Sequence, residues 1–187
     1  MFDGVNNSFT TDRFNRANRA LSLNSGYFKI PSGIYFDGSD FTFTCWVKVK
    51  QRVNYARIFE VANGRNLDAV VFTIHSDGRP VFSYSNSETF TLFSFSNTVL
   101  ALNVWYHLAF TYQYPTSMIY VNGILTDTVN TTYSTPIRNL TRSVNWVGRS
   151  NWYPQYDQPH AIHDLDDMKL FNGALTNSEI FFAFKTL

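Results

Sequence analysis

Hydrophobic residues recur with a period of two along most of the chain, and the run Phe41–Val49 shows the pattern most clearly. Phe41, Phe43, Cys45, Val47 and Val49 fall on one side, and Thr42, Thr44, Trp46 and Lys48 on the other. Successive side chains of a pleated strand point to opposite faces, so the first set predicts a buried face and the second an outer one. Comparable runs are Ala56–Val61, Ala69–His75, Pro80–Tyr84, Thr89–Phe95, Trp105–Tyr112, Ser117–Asn122, Ser143–Gly148 and Ile162–Phe171. Short strands at regular spacing with turn residues between them are the pattern of a sandwich or barrel. Asp77-Gly78 and Asn122-Gly123 each stand between two such runs and supply the positive φ that tight hairpins require. Asn63-Gly64 and Asn172-Gly173 mark further turns. One helix is predicted near the end. Thr176 and Glu179 form a capping box, and Leu175 with Ile180 can staple it, giving a short helix of about two turns.

Composition agrees with strands. Aromatics make up 18% of the 187 residues, with 18 Phe and 11 Tyr, while Glu60, Glu88 and Glu179 are the only glutamates. Few helix formers and many Thr and aromatic residues favour sheet. With 44% hydrophobic residues and no linker or repeat, residues 1–187 read as a single domain, with 1–17 an N-terminal extension or edge strand. The charge balance of 15 Lys+Arg against 14 Asp+Glu gives no clustered cationic surface, which argues against nucleic acid as a partner. No apolar run approaches the roughly 18 residues of a membrane span, so membrane insertion is not expected. Met1–Asn6 has neither a basic nor an apolar leader region, which suggests a cytosolic protein or a segment of a longer chain. Cys45 is the only cysteine, so an internal disulfide and a Cys-based zinc cluster are excluded, and its place on the apolar face predicts a small buried hydrophobe. Asn6, Asn130 and Asn139 head glycosylation sequons at about the frequency chance allows, so they say nothing about localisation.

Five segments, in order, carry a resemblance. They are Arg19–Pro31, Phe41–Lys48, Trp105–Tyr112, Ile119–Gly123 and Leu165–Thr176, the last continuing into Glu179-Ile180. Together they resemble the laminin-G-like domains of the concanavalin A-like lectin/glucanase superfamily, over nearly the whole chain from about Asn18. The resemblance implies an all-β fold, a jelly-roll sandwich of two antiparallel sheets, one of them concave, with the short C-terminal helix packed outside. Cys45 departs from the pattern, since such domains usually carry a small residue such as Ala or Ser there. The fold hosts lectins, adhesion modules, pentraxins and glycosidases, so it does not by itself decide function.

Catalysis is not expected. Glucanases of this superfamily carry Glu-x-Asp-x-(x)-Glu on one strand, and no such motif occurs here. Asp164, Asp166 and Asp167 are the only acidic cluster, with Asp164 and Asp166 on one strand face and Asp167 on the other. His160 and His163 have no third ligand at matching spacing and read as solvated loop residues. The resemblance implies that one structural Ca2+ could be held by Asn24 and Asp166, brought together by neighbouring first and last strands. A single firm carboxylate makes such a site weak, and Asp166 could instead bond loop amides. For a ligand, the polar-aromatic loop Ser150–His160 stands out. Trp152, Tyr153 and Tyr156 offer flat faces and Asn151, Gln155 and Asp157 hydrogen-bonding groups, a pairing that suits a sugar. Alternatively, the aromatics fold back and plug the sandwich. Asn63, Arg65, Asn66 and Asp68 form a second rim. These readings predict a non-catalytic, lectin-like module, extracellular or on the cell surface and part of a larger chain, recognising a glycan or a cell-surface protein. A structural or adhesion domain without a small-molecule site is the alternative, and a divergent glycosidase comes third.

Overall fold

The computed structural model describes residues 4–38, 40–86, 90–131 and 136–186. The alternating runs become strands: β1 Gly4–Thr10, β2 Ala20–Lys29, β3 Phe41–Val49, β4 Ala56–Ala62, β5 Val70–Ile74, β6 Pro80–Ser85, β7 Phe90–Phe95, β8 Trp105–Gln113, β9 Thr116–Val121, β10 Ile124–Asn130, β11 Val144–Val147 and β12 Ala161–Asn172. The helix α1 follows at Asn177–Thr186. The strands pair antiparallel in the order β10-β9-β8-β3-β12-β2-β11-β4-β5-β6-β7, with β1 beside β2. This path folds back on itself at β11, so two layers face each other across the core, as a jelly-roll sandwich requires.

An aromatic stack joins the layers. Phe43 of β3 lies flat on Phe72 of β5, with ring centroids 4.6 Å apart and an angle of 4° between planes, and also stacks on Phe59 of β4 at 5.3 Å. Phe41, Phe43, Cys45, Val47 and Val49 are all buried, as their register predicts. The opposite face of β3 is less open than alternation alone suggests. Thr42 and Thr44 are also buried, because the chain after β12 covers them. Thr42 Oγ1 donates to the Gly173 carbonyl at 2.9 Å and accepts from the Leu175 amide at 2.8 Å. The capping box forms as expected, with the Glu179 amide on Thr176 Oγ1 at 3.3 Å and the Thr176 amide on Glu179 Oε2 at 2.7 Å. The helix runs for ten residues, longer than two turns, because Ile180 packs on Ala109 and Tyr120 of the outer face and prolongs it. Trp46 flanks the core from that same outer face, beneath the Arg13 guanidinium at 4.7 Å.

Two glycines hold β2 against its neighbours. Gly148 has φ +82°, and a Cβ there would lie 2.4 Å from the Gly26 carbonyl oxygen; a Cβ on Gly26 would lie 2.2 Å from the Asn6 oxygen. Only residues without side chains allow the segment leaving β11 to turn this close to β2. The ladder between β12 and β3 is interrupted between Asp166 and Lys169, where Asp167 takes φ 44°. This bulge overturns the expected facing of the acidic cluster. Asp166 and Asp167, predicted on opposite faces, both reach Arg13, at 2.6 and 2.8 Å.

Candidate functional site

On the face of β4–β7 turned away from the core, the cross-strand neighbours Arg57, Thr73, Ser83 and Phe93 form the floor of a cavity. The long loop before β12 supplies a wall with Trp152, Tyr156 and Gln158, Tyr55 stands opposite, and Asn66 comes from the turn after β4. The volume is about 330 Å³. Aromatic walls around a polar floor are the usual make-up of a small-molecule site.

A buried ion pair anchors the arrangement. Arg57 Nε donates to Glu60 Oε2, and both residues are almost wholly covered. A bulge between Arg57 and Phe59 allows it, since it turns Ile58 and Phe59 both to the core and leaves Arg57 and Glu60 on the same outer face. Arg57 Nη1 donates to the Tyr55 carbonyl at 2.9 Å, and Nη2 to Ser150 Oγ at 2.9 Å and Gln158 Oε1 at 2.7 Å. Glu60 Oε1 accepts from the Asn151 amide at 3.1 Å. The loop is thus tied to the strand beneath it, and two further ties hold it at either end of β4. Asn54 Nδ2 donates to the Asp157 carbonyl at 2.7 Å, and Arg65 Nη1 donates to Gln155 Oε1.

The loop residues singled out from sequence have different fates. Trp152, expected as an exposed stacking platform, is only 6% exposed. Its ring lies against Ala62, Ala69 and Val71, with the Arg57 guanidinium 5.2 Å above it, so it is a plug on the outer face of β4–β5 and a wall of the cavity at once. Asn151 is consumed internally: its Oδ1 accepts from Trp146 Nε1 at 2.8 Å and its Nδ2 donates to the Val144 carbonyl at 3.1 Å. Tyr156 is 56% exposed and lines the cavity. Tyr153, 41% exposed, turns instead toward His160, with ring centroids 4.7 Å apart. Asp157 is exposed at the rim. Of the second rim, Asn66 enters the cavity, Arg65 reaches Gln155, and Asn63 and Asp68 are structural, Asn63 Oδ1 accepting from the Ser143 amide at 3.1 Å and Asp68 binding Arg138. Tyr55, Arg57, Thr73, Ser83, Phe93 and Gln158 went unrecognised in the sequence, since cross-strand register gathers the four strand residues and Tyr55 and Gln158 join them only through the path of the segments before β4 and β12. The signal available was the outward apolar set Ala62, Ala69 and Val71, which needs a cover.

Asn24 and Asp166 do not come together. Asn24 pairs with Ile162 and is exposed, whereas Asp166 pairs with Trp46, four residues further along β12. That is about 13 Å of strand. Asp166 is already held by Arg13, and no group of three or more His, Cys, Asp or Glu converges among the described residues. The pair therefore does not fit a calcium ion. The rest of the acidic cluster is likewise occupied, Asp164 lying 2.9 Å from both Lys48 and Lys50, which holds its carboxyl below the ordinary value against the opposing effect of burial. His163 is not a solvated loop residue. It lies within β12, wholly buried, and burial lowers its pKa to about 4. His160 is part-buried against Tyr27 and Tyr153, and burial lowers its pKa too. Burial pushes the Cys45 thiol well up, as befits an inert core residue.

A family model described as the concanavalin A-like lectin/glucanases superfamily, of laminin G type, matches residues 22–181. No curated protein sequence matches the chain. Among solved structures, domain 4 of AbnA, a GH43 extracellular arabinanase from Geobacillus stearothermophilus in complex with arabinotriose, aligns with a TM-score of 0.70 at 18% identity, over 94% of this chain and 80% of that one. The binding domain of Paraclostridial Mosquitocidal Protein 1 aligns at 0.67 and 17% identity, over 97% of this chain and 46% of that one. The botulinum neurotoxin serotype D binding domain aligns at 0.69 and 15%, over 98% and 45%. The chain thus spans less than half of each toxin binding domain. At such identities the likeness is one of fold.

Proposed function

The chain belongs to the concanavalin A-like lectin/glucanases superfamily, and from that premise we propose that it is a non-catalytic, lectin-like module that binds a glycan in the cavity on the outer face of β4–β7. One observation carries the reading. Four aromatic side chains, Tyr55, Phe93, Trp152 and Tyr156, line the cavity beside the polar Thr73, Ser83 and Gln158 and an Arg57 paired with Glu60, and a sugar ring needs that combination of apolar face and polar rim. The absence of catalysis in this proposal rests on the carboxylates. Asp164, Asp166 and Asp167 are bound to lysines and Arg13, Glu60 to Arg57, and Glu179 caps α1, which leaves no free pair to act as acid and nucleophile among them. Glu88 lies outside the described residues. The arabinotriose complex of AbnA domain 4 supports a saccharide as the ligand class, and that enzyme's extracellular setting supports a place outside the cell or on its surface. One sugar ring should bind at roughly millimolar Kd, near −4 kcal/mol, so several copies would be needed for firm attachment.

The test is a glycan array probed with the protein and with Tyr156→Ala, melting temperature measured alongside. Binding that disappears in the variant at unchanged stability supports the assignment. An array without signal, or binding indifferent to Tyr156, overturns it in favour of the adhesion or scaffold reading, to which the burial of Trp152 already conforms.

A further inference from the structure

Resting on that reading, we infer that the cavity selects uncharged sugars and excludes those bearing a carboxylate or sulfate. The argument is a charge account of its lining. Arg57 is the only ionisable cation among the described residues that line the cavity, and its charge is cancelled in place by Glu60. The remaining guanidinium bonds go to Ser150, Gln158 and the Tyr55 carbonyl. An anionic group entering the cavity would lose its water and meet no unpaired cation, and an uncompensated charge in a covered site is strongly disfavoured.

The groups that remain open to a ligand are neutral. Ser83 is 3% exposed, lines the cavity, and its hydroxyl has no partner among the described residues. Gln158 lines the cavity and spends its carbonyl oxygen on Arg57 and Ser150, so what it has left to offer a ligand is its neutral amide NH2. The hydroxyls of Tyr55 and Tyr156 complete the set. Hydroxyls and one amide can each donate or accept in turn with a sugar's hydroxyls, but none neutralises a carboxylate. Arg65 at the rim is exposed and already engaged with Gln155, and water and salt screen a charge in that position. The volume, about 330 Å³, lies at the small end for ligand sites and suits one or two sugar rings.

The experiment uses pairs of ligands that differ in charge: lactose against sialyllactose, and fully methyl-esterified trigalacturonate against free trigalacturonate. They are titrated calorimetrically and printed on one array with arabinotriose, and Ser83→Ala and Glu60→Gln are measured beside the parent protein. The uncharged member of a pair should bind at least about tenfold more tightly, and Ser83→Ala should weaken it several-fold at unchanged melting temperature. Glu60→Gln leaves Arg57 without its counter-charge and should shift the preference toward the acidic member. If Glu60→Gln does not fold, the ligand pairs on the parent protein decide alone. Preference for the acidic member, still dependent on Ser83, overturns the inference and leaves the glycan-binding reading standing. Ligands that bind indifferently to Ser83 and Tyr156, or no binding across the panel, overturn both.

Discussion

Trp152 and Tyr156 stand four residues apart on one loop, and their substitution by alanine should separate packing from recognition. Trp152 is buried on Ala62, Ala69 and Val71 beneath Arg57. Removing a buried Trp side chain costs about 3–5 kcal/mol, which includes the cavity left behind. At this chain length, each kcal/mol moves Tm by about 2–4 °C, so Trp152→Ala should lower Tm by about 6–20 °C. Its binding should fall too, because the wall it forms collapses into the space it vacates. Tyr156 is 56% exposed, so Tyr156→Ala should shift Tm by no more than about 2 °C. The loss of one aromatic face should nonetheless weaken glycan binding about tenfold, or ~1.4 kcal/mol. Differential scanning calorimetry and titration of the same preparations provide both numbers. A Trp152→Ala protein with parental Tm would refute the packing argument and restore the exposed platform expected from sequence. A Tyr156→Ala protein that melts as early as Trp152→Ala would refute the separation itself.

Phe43→Ala should cost about 3–5 kcal/mol by chemical denaturation, since it removes the ring stacked on Phe59 and Phe72; an unchanged midpoint would contradict the register of β3. Gly148→Ala should destabilise by more than the roughly 1–2 kcal/mol of a positive φ alone, because the added methyl meets the Gly26 carbonyl at 2.4 Å; a loss no larger than that would show that β11 and β2 separate readily. His107 and His163 are both buried, and burial chiefly lowers each to about 4 from the ordinary 6.5, with the Arg13 and Lys50 charges adding to it. Between those values the unfolded chain takes up protons that the folded one refuses. Stability should therefore fall as pH drops from about 6.5 toward 4, by up to about 1.4 kcal/mol per pH unit for each group, and a flat profile from pH 7 to 5 would count against their burial. Millimolar calcium should leave the melting curve as it is in chelator, since Arg13 holds Asp166; a rise in Tm that Asp166→Ala abolishes would reverse that conclusion.

The strands and the fold were legible because they depend on short-range alternation. The register of Phe41–Val49, the Asp77-Gly78 and Asn122-Gly123 turns and the Thr176–Glu179 cap all lie within a few residues of their own signal. The site was not legible in the same way. Arg57, Thr73, Ser83 and Phe93 come from four strands, and each alone resembles any outward polar or aromatic residue. Trp152 stands in a polar loop with no periodic partner near it in sequence, and the residues that bury it, Ala62, Ala69 and Val71, lie in or beside β4 and β5, where every residue is covered on both faces. The outward apolar set Ala62, Ala69 and Val71 needs a lid, and that was the available clue. The facing of the Asp166–Asp167 pair was hidden for another reason: one bulge shifts the residues after it, and no residue type announces it unambiguously. His163 needs no bulge to explain it, since it lies in regular register with Val49 inside the alternating run Ile162–Phe171 and is buried there as a strand residue.

The position of β12 also governs how the chain can be made. It lies between β2 and β3, so the strand completed late in synthesis is an interior strand of its layer. Until Ala161–Asn172 has emerged from the ribosome, β2 and β3 each present a bare hydrogen-bonding edge. Roughly 110 residues separate β3 from β12, which at about 5–20 residues per second is a delay of several seconds to some twenty. The two nascent edges are exposed to one another and to neighbouring nascent chains for all of that time. Pairing β2 directly with β3 would form a sheet with no place for β12, so on the ribosome the β3–β8–β9–β10 ladder can form first and the layer is completed only when β12 inserts. Truncations that stop short of Ala161 would be expected to aggregate through those edges rather than fold as a smaller sandwich.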